Sequence, residues 1–213
     1  MNVKLIWATP EADTMIAKIA RVSNPDNQLN PNIEGLLQYM MREGHVSPFE
    51  MANACIEVNT TRDIGRQILR HRSFQFQEFS QRYASTSSLP QAELRECRTQ
   101  DSKNRQNSIA CTDAKITSWW QNAQMIQITE SQNLYDQALK YGIAKEQARA
   151  LLPEGLTASR MYMNGNLRSW IHYLQSRLHE STQKEHRELA KEILEVLRDV
   201  APITMETFFH EDH

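Results

Sequence analysis

The chain has 213 residues, is 40% hydrophobic, and carries 24 basic against 26 acidic residues, a net charge of −2. That is enough apolar material for one or at most two compact domains with a real core, and without a basic excess it argues against a protein that grips long polyanions. No run approaches the length of apolar residues a membrane span needs, and Met1 to Trp7 lacks the charged start and cleavage site of a signal peptide. Three cysteines, Cys55, Cys97 and Cys111, form an odd, unclustered set without a C-x-x-C pair. This argues against a disulfide framework or zinc site and fits a reducing cytoplasm.

In chain order, Val3 to Trp7 reads as a strand, although Ile6 spoils strict alternation. Thr9-Pro10-Glu11 predicts a helix start with Thr9 as cap, running to about Val22. Asn30-Pro31 repeats that signal before Ile33, Leu36, Leu37, Met40 and Met41, and Gly44 supplies the stop. Met51 to Asn59 predicts a strand with Ala52, Ala54, Ile56 and Val58 on one side. Thr60, Thr61 and Asp63 predict the cap of a helix through Ile64, Ile68 and Leu69. Phe74 to Gln77 alternates with period two and leaves that helix in extended form.

The stretch from Ser85 to Ser118 is polar and reads as a long loop or partly helical insertion. A long helix is expected from Ile116 to Tyr141, with Trp119, Trp120, Ala123, Ile126, Leu134 and Ala138 as a core stripe. Lys145 to Leu152 is a short helix broken by Pro153. Thr157 to Met163 reads as a strand, Asn164-Gly165-Asn166 as a turn, and Leu167, Trp170, Ile171, Leu174 and Leu178 as the inward face of another helix. Thr182 and Glu185 predict a capping box for a last helix carrying Leu189, Ile193, Leu194 and Leu197. Helices mixed with a few strands that do not alternate as βαβ units give an α+β class, one domain over residues 1–213 with an insertion at 85–118.

The chemistry concentrates between Gln67 and Arg82. Arg70 and Arg72 bracket His71 at a helix end, and Glu78, Ser80 and Arg82 follow on an extended segment. Arginine forks suit phosphate, and phosphate alone would need only donors. Gln67, Glu78 and Ser80 add groups that read a base edge or a sugar hydroxyl, so the mixture suggests a mononucleotide pocket. The bland alternative is a solvated basic helix end, with Arg70 and Arg72 stabilising the helix dipole.

Arg70-His71-Arg72, seven residues and Ser80 resemble the signature of the flavin-dependent thymidylate synthases. Further elements follow in that family's order: Ala20-Arg21-Val22-Ser23, His45-Val46-Ser47-Pro48-Phe49-Glu50, Ala148-Arg149-Ala150-Leu151-Leu152-Pro153, then Asn166-Leu167-Arg168-Ser169 with Arg177. The chain departs from the family at Ser47 (usually threonine), at His172 (often asparagine) and at Ser181, in a region where many members carry histidine. The resemblance implies a small, mainly antiparallel twisted sheet packed with several long helices. It implies conversion of dUMP to dTMP with methylenetetrahydrofolate as one-carbon donor and NADPH as reductant through FAD. It also implies a cytoplasmic homotetramer with shared active sites (in the host cytoplasm for a viral chain), with no nucleic acid or membrane partner.

By the same resemblance Gln67, Arg70, Glu78, Phe79, Ser80, Gln81, Arg82, Arg149 and Arg177 hold dUMP. Ser23, Ser47, Glu50, Arg70, His71, Arg72, Ser73, Asn166, Arg168 and His172 hold FAD, and His45 lies near the flavin and folate. Uracil C5 becomes nucleophilic when a thiolate adds at C6 or when positive groups polarise the ring. Cys55 sits mid-strand as a structural thiol, and Cys97 and Cys111 lie in the insertion, so Arg82 and Arg177 are the candidates for polarisation. His179, His186, His210 and His213 read as surface residues, and no His/Asp/Glu spacing suggests a metal. Two other functions compete. One is an RNA-binding module with Arg70, Arg72 and Arg82 on phosphates and Phe74, Phe76 and Tyr83 stacking. The other is a hydrolase with His71 as base and Glu78 orienting it.

Overall fold

The computed structural model describes residues 1–209. Its elements are β1 (Asn2–Ala8), α1 (Ala12–Ala20), α2 (Glu34–Arg42), β2 (Asn53–Thr61), α3 (Arg62–Ile68), β3 (Gln75–Glu78), β4 (Arg98–Gln100), β5 (Ser108–Ala110), α4 (Ala114–Lys140), α5 (Lys145–Ala148), β6 (Ala158–Asn166), α6 (Leu167–Arg177), α7 (Lys184–Val200) and α8 (Pro202–Phe208). Four strands form one sheet in the order β1-β2-β6-β3, and β4 and β5 form a separate hairpin. The strand ends show the pairing directions. Thr9 N donates to Asn53 O at 2.9 Å, Arg62 N to Thr157 O at 3.0 Å and Phe79 N to Arg160 O at 2.8 Å. Each bond joins the end of one strand to the beginning of its neighbour, so the sheet is antiparallel and the class is α+β, as expected.

The chain forms two compact units. The first comprises Met1, Asn59–Arg70 and Glu78–Met161; the second comprises Asn2–Val58, His71–Gln77 and, of the described residues, 162–209. In the second unit Ala52, Ala54, Ile56 and Val58 are fully buried, following their period-two spacing. Helix α7 turns His186, Leu189, Ala190, Ile193, Leu194 and Leu197 inward. Helix α6 buries Leu167, Trp170, Ile171, Tyr173 and Leu174, while Leu178 caps its end half-buried. Phe74 packs edge-on to Trp170 with ring centroids 4.7 Å apart. A Cβ on Gly165 would lie 2.5 Å from that Phe74 ring, so glycine lets the ring rest on the backbone. Asn164-Gly165-Asn166 therefore continues β6 and is not a turn.

Three local readings are corrected in this unit. Thr9 Oγ1 accepts from Asn53 N at 2.9 Å, so it ties strand ends together and does not cap α1. That helix starts after Glu11, whose φ of 46° is left-handed, and it ends at Ala20. Thr182 Oγ1 donates to Ser176 O at 3.1 Å, and Glu185 accepts from Gln183 Nε2 at 2.9 Å, so no capping box forms. Helix α7 is not the last either. Pro202 opens α8, and buried Asp13 on α1 accepts from Ile203 N at 2.8 Å and Thr204 N at 3.2 Å, capping that helix from a distance.

In the first unit α4 buries Gln124, Ser131, Tyr135 and Ala138, and Tyr135 packs with Ala138 and Ala148 against Leu139 and Leu152. The expected stripe is only partly inward: Ala138 is buried and Trp120 and Ala123 half-buried, but Trp119, Ile126 and Leu134 are 66%, 58% and 52% exposed. The inward face is polar because it is anchored. Gln124 accepts from Arg95 N at 2.7 Å and donates to Arg95 O at 3.0 Å, and Trp120 Nε1 donates to the same carbonyl at 3.0 Å. Arg95 in turn reaches Asp63 at 2.8 Å.

The stretch read as a long loop or partly helical insertion contains the β4–β5 hairpin, with Arg98 opposite Ala110. Asp101 closes its turn, accepting from Lys103 N at 2.7 Å and Asn107 Nδ2 at 2.8 Å, and these bonds hold its carboxyl below the usual range. The first turn of α4 also falls inside that stretch, with Asp113 accepting from Lys115 N at 2.8 Å as cap. Nor are the cysteines unclustered. Cys111 N donates to Cys97 O at 3.1 Å, so two of the three face each other at the open end of the hairpin.

Candidate functional site

The strip from Gln67 to Arg82 crosses from the first unit to the second at Arg70–His71 and back at Gln77–Glu78. In the second unit, Arg177 at the end of α6 donates from Nε to His71 Nε2 at 2.8 Å. Burial first, then the charges of Arg177 and His172, push the His71 pKa down to about 4. The imidazole is therefore neutral at physiological pH, with Nε2 accepting and the proton on Nδ1. Arg177 is half-buried, and its terminal nitrogens carry no hydrogen bond among the described residues.

A buried layer supports this pair. The Tyr173 ring meets His71 edge-on at 4.9 Å, and its hydroxyl lies 3.0 Å from His186 Nε2. Burial lowers His186 to about 3 and raises the Tyr173 phenol, so tyrosine donates and histidine accepts. Asn166 Oδ1 accepts from Ser169 N at 2.9 Å and caps α6. Arg168 and His172 stand exposed one turn apart on that helix, and Arg168 is paired with Glu50. Glu50 belongs to a short 3-10 turn, Ser47–Met51, which buries Phe49 and leaves Ser47 and Glu50 outside. Arg72 and Ser73 are exposed, and Ser73 O accepts from Ser169 Oγ at 3.4 Å. His45 is exposed beside the Tyr39 ring, and Ser23 is exposed in the turn after α1. Neither is bonded to the other candidates.

In the first unit Arg70 is exposed where α3 ends. Glu78 Oε1 accepts from Ser159 Oγ at 2.7 Å and lies 3.8 Å from Arg62. Ser80 is exposed and opens a tight turn, its carbonyl accepting from Tyr83 N and Ala84 N at 3.0 Å each. Arg82 is exposed and paired with Glu146 at 3.0 Å, and Arg149 is half-buried one turn further along. Gln81 differs from all of these: it is 4% exposed, and its side-chain nitrogen has no hydrogen-bond partner among the described residues. A buried amide donor left open is costly unless something accepts from it.

The sequence model of the family described as thymidylate synthase complementing protein matches residues 4–203. A flavin-dependent thymidylate synthase of Synechocystis is 52% identical over 83% of this chain and 80% of its own length. The chain belongs to the flavin-dependent thymidylate synthase family. A protein of Paramecium bursaria Chlorella virus 1, bearing that family name qualified as probable, is 45% identical over 92% of this chain and 93% of its own. Among solved structures, PolB of Streptomyces cacaoi, a UMP/dUMP methylase crystallised with 5-Br dUMP, is 26% identical with a TM-score of 0.81. That likeness covers 97% of this chain and 94% of PolB. A second PolB structure, with 5-Br UMP, gives a TM-score of 0.85.

Sequence reasoning missed one residue packed beneath this candidate site. His186, expected at the surface, is fully buried against Tyr173. Its place on the stripe with Leu189, Ile193 and Leu197 was the available signal. His179 is exposed, as expected, and His210 and His213 lie outside the described residues.

Proposed function

We propose that this protein methylates dUMP to dTMP reductively, taking its one-carbon unit from methylenetetrahydrofolate and its electrons from NADPH through FAD. Membership of the flavin-dependent thymidylate synthase family supports the reaction, and the bromo-dUMP complex of PolB supports the pyrimidine nucleotide. One observation on this chain carries the substrate half: the buried Gln81 amide with no partner. Uracil offers carbonyl acceptors that such a donor would satisfy.

In this reading Gln67, Arg70, Glu78, Phe79, Ser80, Gln81, Arg82, Arg149 and Arg177 hold dUMP. Arg82 and Arg177 stabilise negative charge developing on the pyrimidine, and His45, the third catalytic residue of this reading, serves near the flavin and the folate. The thiols support this division, since burial raises Cys55 and, chiefly, Cys97 and makes them poor nucleophiles. Ser23, Ser47, Glu50, Arg70, His71, Arg72, Ser73, Asn166, Arg168 and His172 hold FAD. Their chemistry fits that group. Arg72 and Arg168 present exposed guanidinium groups suited to a diphosphate, whereas Glu50 suits ribose hydroxyls or a ring N–H. The flavin supplies the redox chemistry when bound, and the protein supplies position and charge.

The single-domain reading is supported by a family match over residues 4–203. The homotetramer is supported by α4, whose exposed Trp119, Ile126 and Leu134 form an apolar stripe that a second copy would cover. A cytoplasmic place is in keeping with free cysteines, and no described helix is long and apolar enough to cross a membrane. Colour tests the reading. The purified protein should be yellow, and dUMP should stimulate NADPH oxidation; a colourless protein that cannot be reconstituted with FAD would sink it. Gln81→Leu should raise the KM for dUMP while leaving flavin content unchanged.

A further inference from the structure

The β4–β5 register runs Gln100–Ser108, Thr99–Ile109, Arg98–Ala110, and one step outward Cys97 stands opposite Cys111. The bond from Cys111 N to Cys97 O at 3.1 Å shows that the pairing persists there. Directly opposed residues of this bonded kind have Cα atoms about 5.5 Å apart with side chains on one face, inside the 4.4–6.8 Å range of disulfides. Cys97 is buried, and Cys111 is partly exposed. Both lie at the open end of the hairpin, two residues from fixed points: Arg95, bonded to Gln124 and Trp120, and Asp113, the cap of α4. Cys55 lies mid-strand in the other unit.

We propose that Cys97 and Cys111 are a thiol–disulfide switch that closes by exchange with a small disulfide such as oxidised glutathione. The more exposed Cys111, as thiolate, attacks one sulfur of the small disulfide and releases its first thiolate. Cys97 then gives up its proton and attacks the Cys111 sulfur, releasing the second. Two protein thiols are oxidised, one small disulfide is reduced to two thiols, and the two protons pass to the leaving thiolates. Burial, reinforced by the hydrogen bond with Cys111, raises the Cys97 thiol, so the second step is slow near neutrality. A reducing cytoplasm keeps the pair open, and oxidative conditions close a fifteen-residue loop that fastens the entry of α4.

The test treats the full-length reduced protein with oxidised glutathione and follows intact mass and peptide maps. The expected product has lost two hydrogens and yields one cross-linked peptide joining Cys97 to Cys111, while Cys55 stays free. Its Tm should exceed that of the reduced protein by on the order of 5–10 °C. Cys97→Ser should stop at a glutathione adduct on Cys111. The proposal is overturned if the wild type also stops at that adduct, if the link joins two chains, or if closing it lowers Tm. Because the readouts are mass and melting, they stand apart from the dUMP activity.

Discussion

The two units differ in how far their candidate groups are already paired. In the second, several side chains are already paired, Arg177 with His71, Arg168 with Glu50, Tyr173 with His186, and Asn166 with the start of its helix, while Ser23, His45 and Arg72 stand exposed. In the first, Glu78 is held by Ser159, but Arg70 and Ser80 stand open, Arg82 holds only an exposed ion pair, and Gln81 keeps a buried donor without a partner among the described residues. Prior pairing fixes geometry before a ligand arrives, whereas open groups take their geometry from the ligand. In the proposed reading most flavin candidates fall in the second unit and most nucleotide candidates in the first, Arg70 and Arg177 excepted, so the paired groups suit a resident cofactor and the open ones a substrate that comes and goes.

The largest expected effects come from removing one arginine on each side. Arg82→Ala should abolish measurable dUMP binding while largely sparing FAD, read by titration and by flavin absorbance; equal loss of both would contradict the division. Arg177→Ala should lower kcat/KM by about 10²–10³, the effect of removing one charge-stabilising donor. It should also let His71 titrate higher, visible by NMR, because a nearby positive charge is gone. An unchanged His71 would mean that burial and His172, without Arg177, set its pKa.

Next comes packing beneath the paired side. Gly165→Ala forces a methyl into the Phe74 ring and should destabilise by about 1–3 kcal/mol, seen as a fall in Tm. Acidity should act there too. His71 and His186 bind protons in the unfolded chain near pH 6.5 but in the folded one only near 4 and 3. The stability from keeping them neutral is present above 6.5 and lost as pH falls through that window. Tm measured from pH 7 to 4.5 should therefore decline, and less steeply in His186→Gln. The smallest effect is Glu146→Gln, which frees Arg82 from an exposed pair and should change the KM for dUMP by less than about fivefold.

Most of the scaffold was legible because it rests on periodicity. Ala52 to Val58 and Leu189 to Leu197 bury the faces their spacing indicates. The apolar stripe of α4 was legible as a stripe but not as exposed, because its inward face is chosen by Arg95, far away in sequence. Thr9 and Thr182 carried good capping signals and were claimed by Asn53 and Ser176. The candidate site residues were legible by type and order. Their states were not: nothing local says that His71 accepts from Arg177 or that Gln81 lacks a partner, since these are facts of burial.

Asp13 carries a consequence for how the molecule is made. Its partners Ile203 and Thr204 lie 190 and 191 residues further along the chain. At ordinary synthesis rates roughly 10–40 s separate the emergence of the acid from that of the amides it caps. Throughout that interval the carboxylate lacks these partners, and α1 can settle on α2 and the Ser47–Met51 turn but not yet on α8. The second unit must therefore complete itself late, after the first unit's segments have been made, with the slow folding that distant contacts impose.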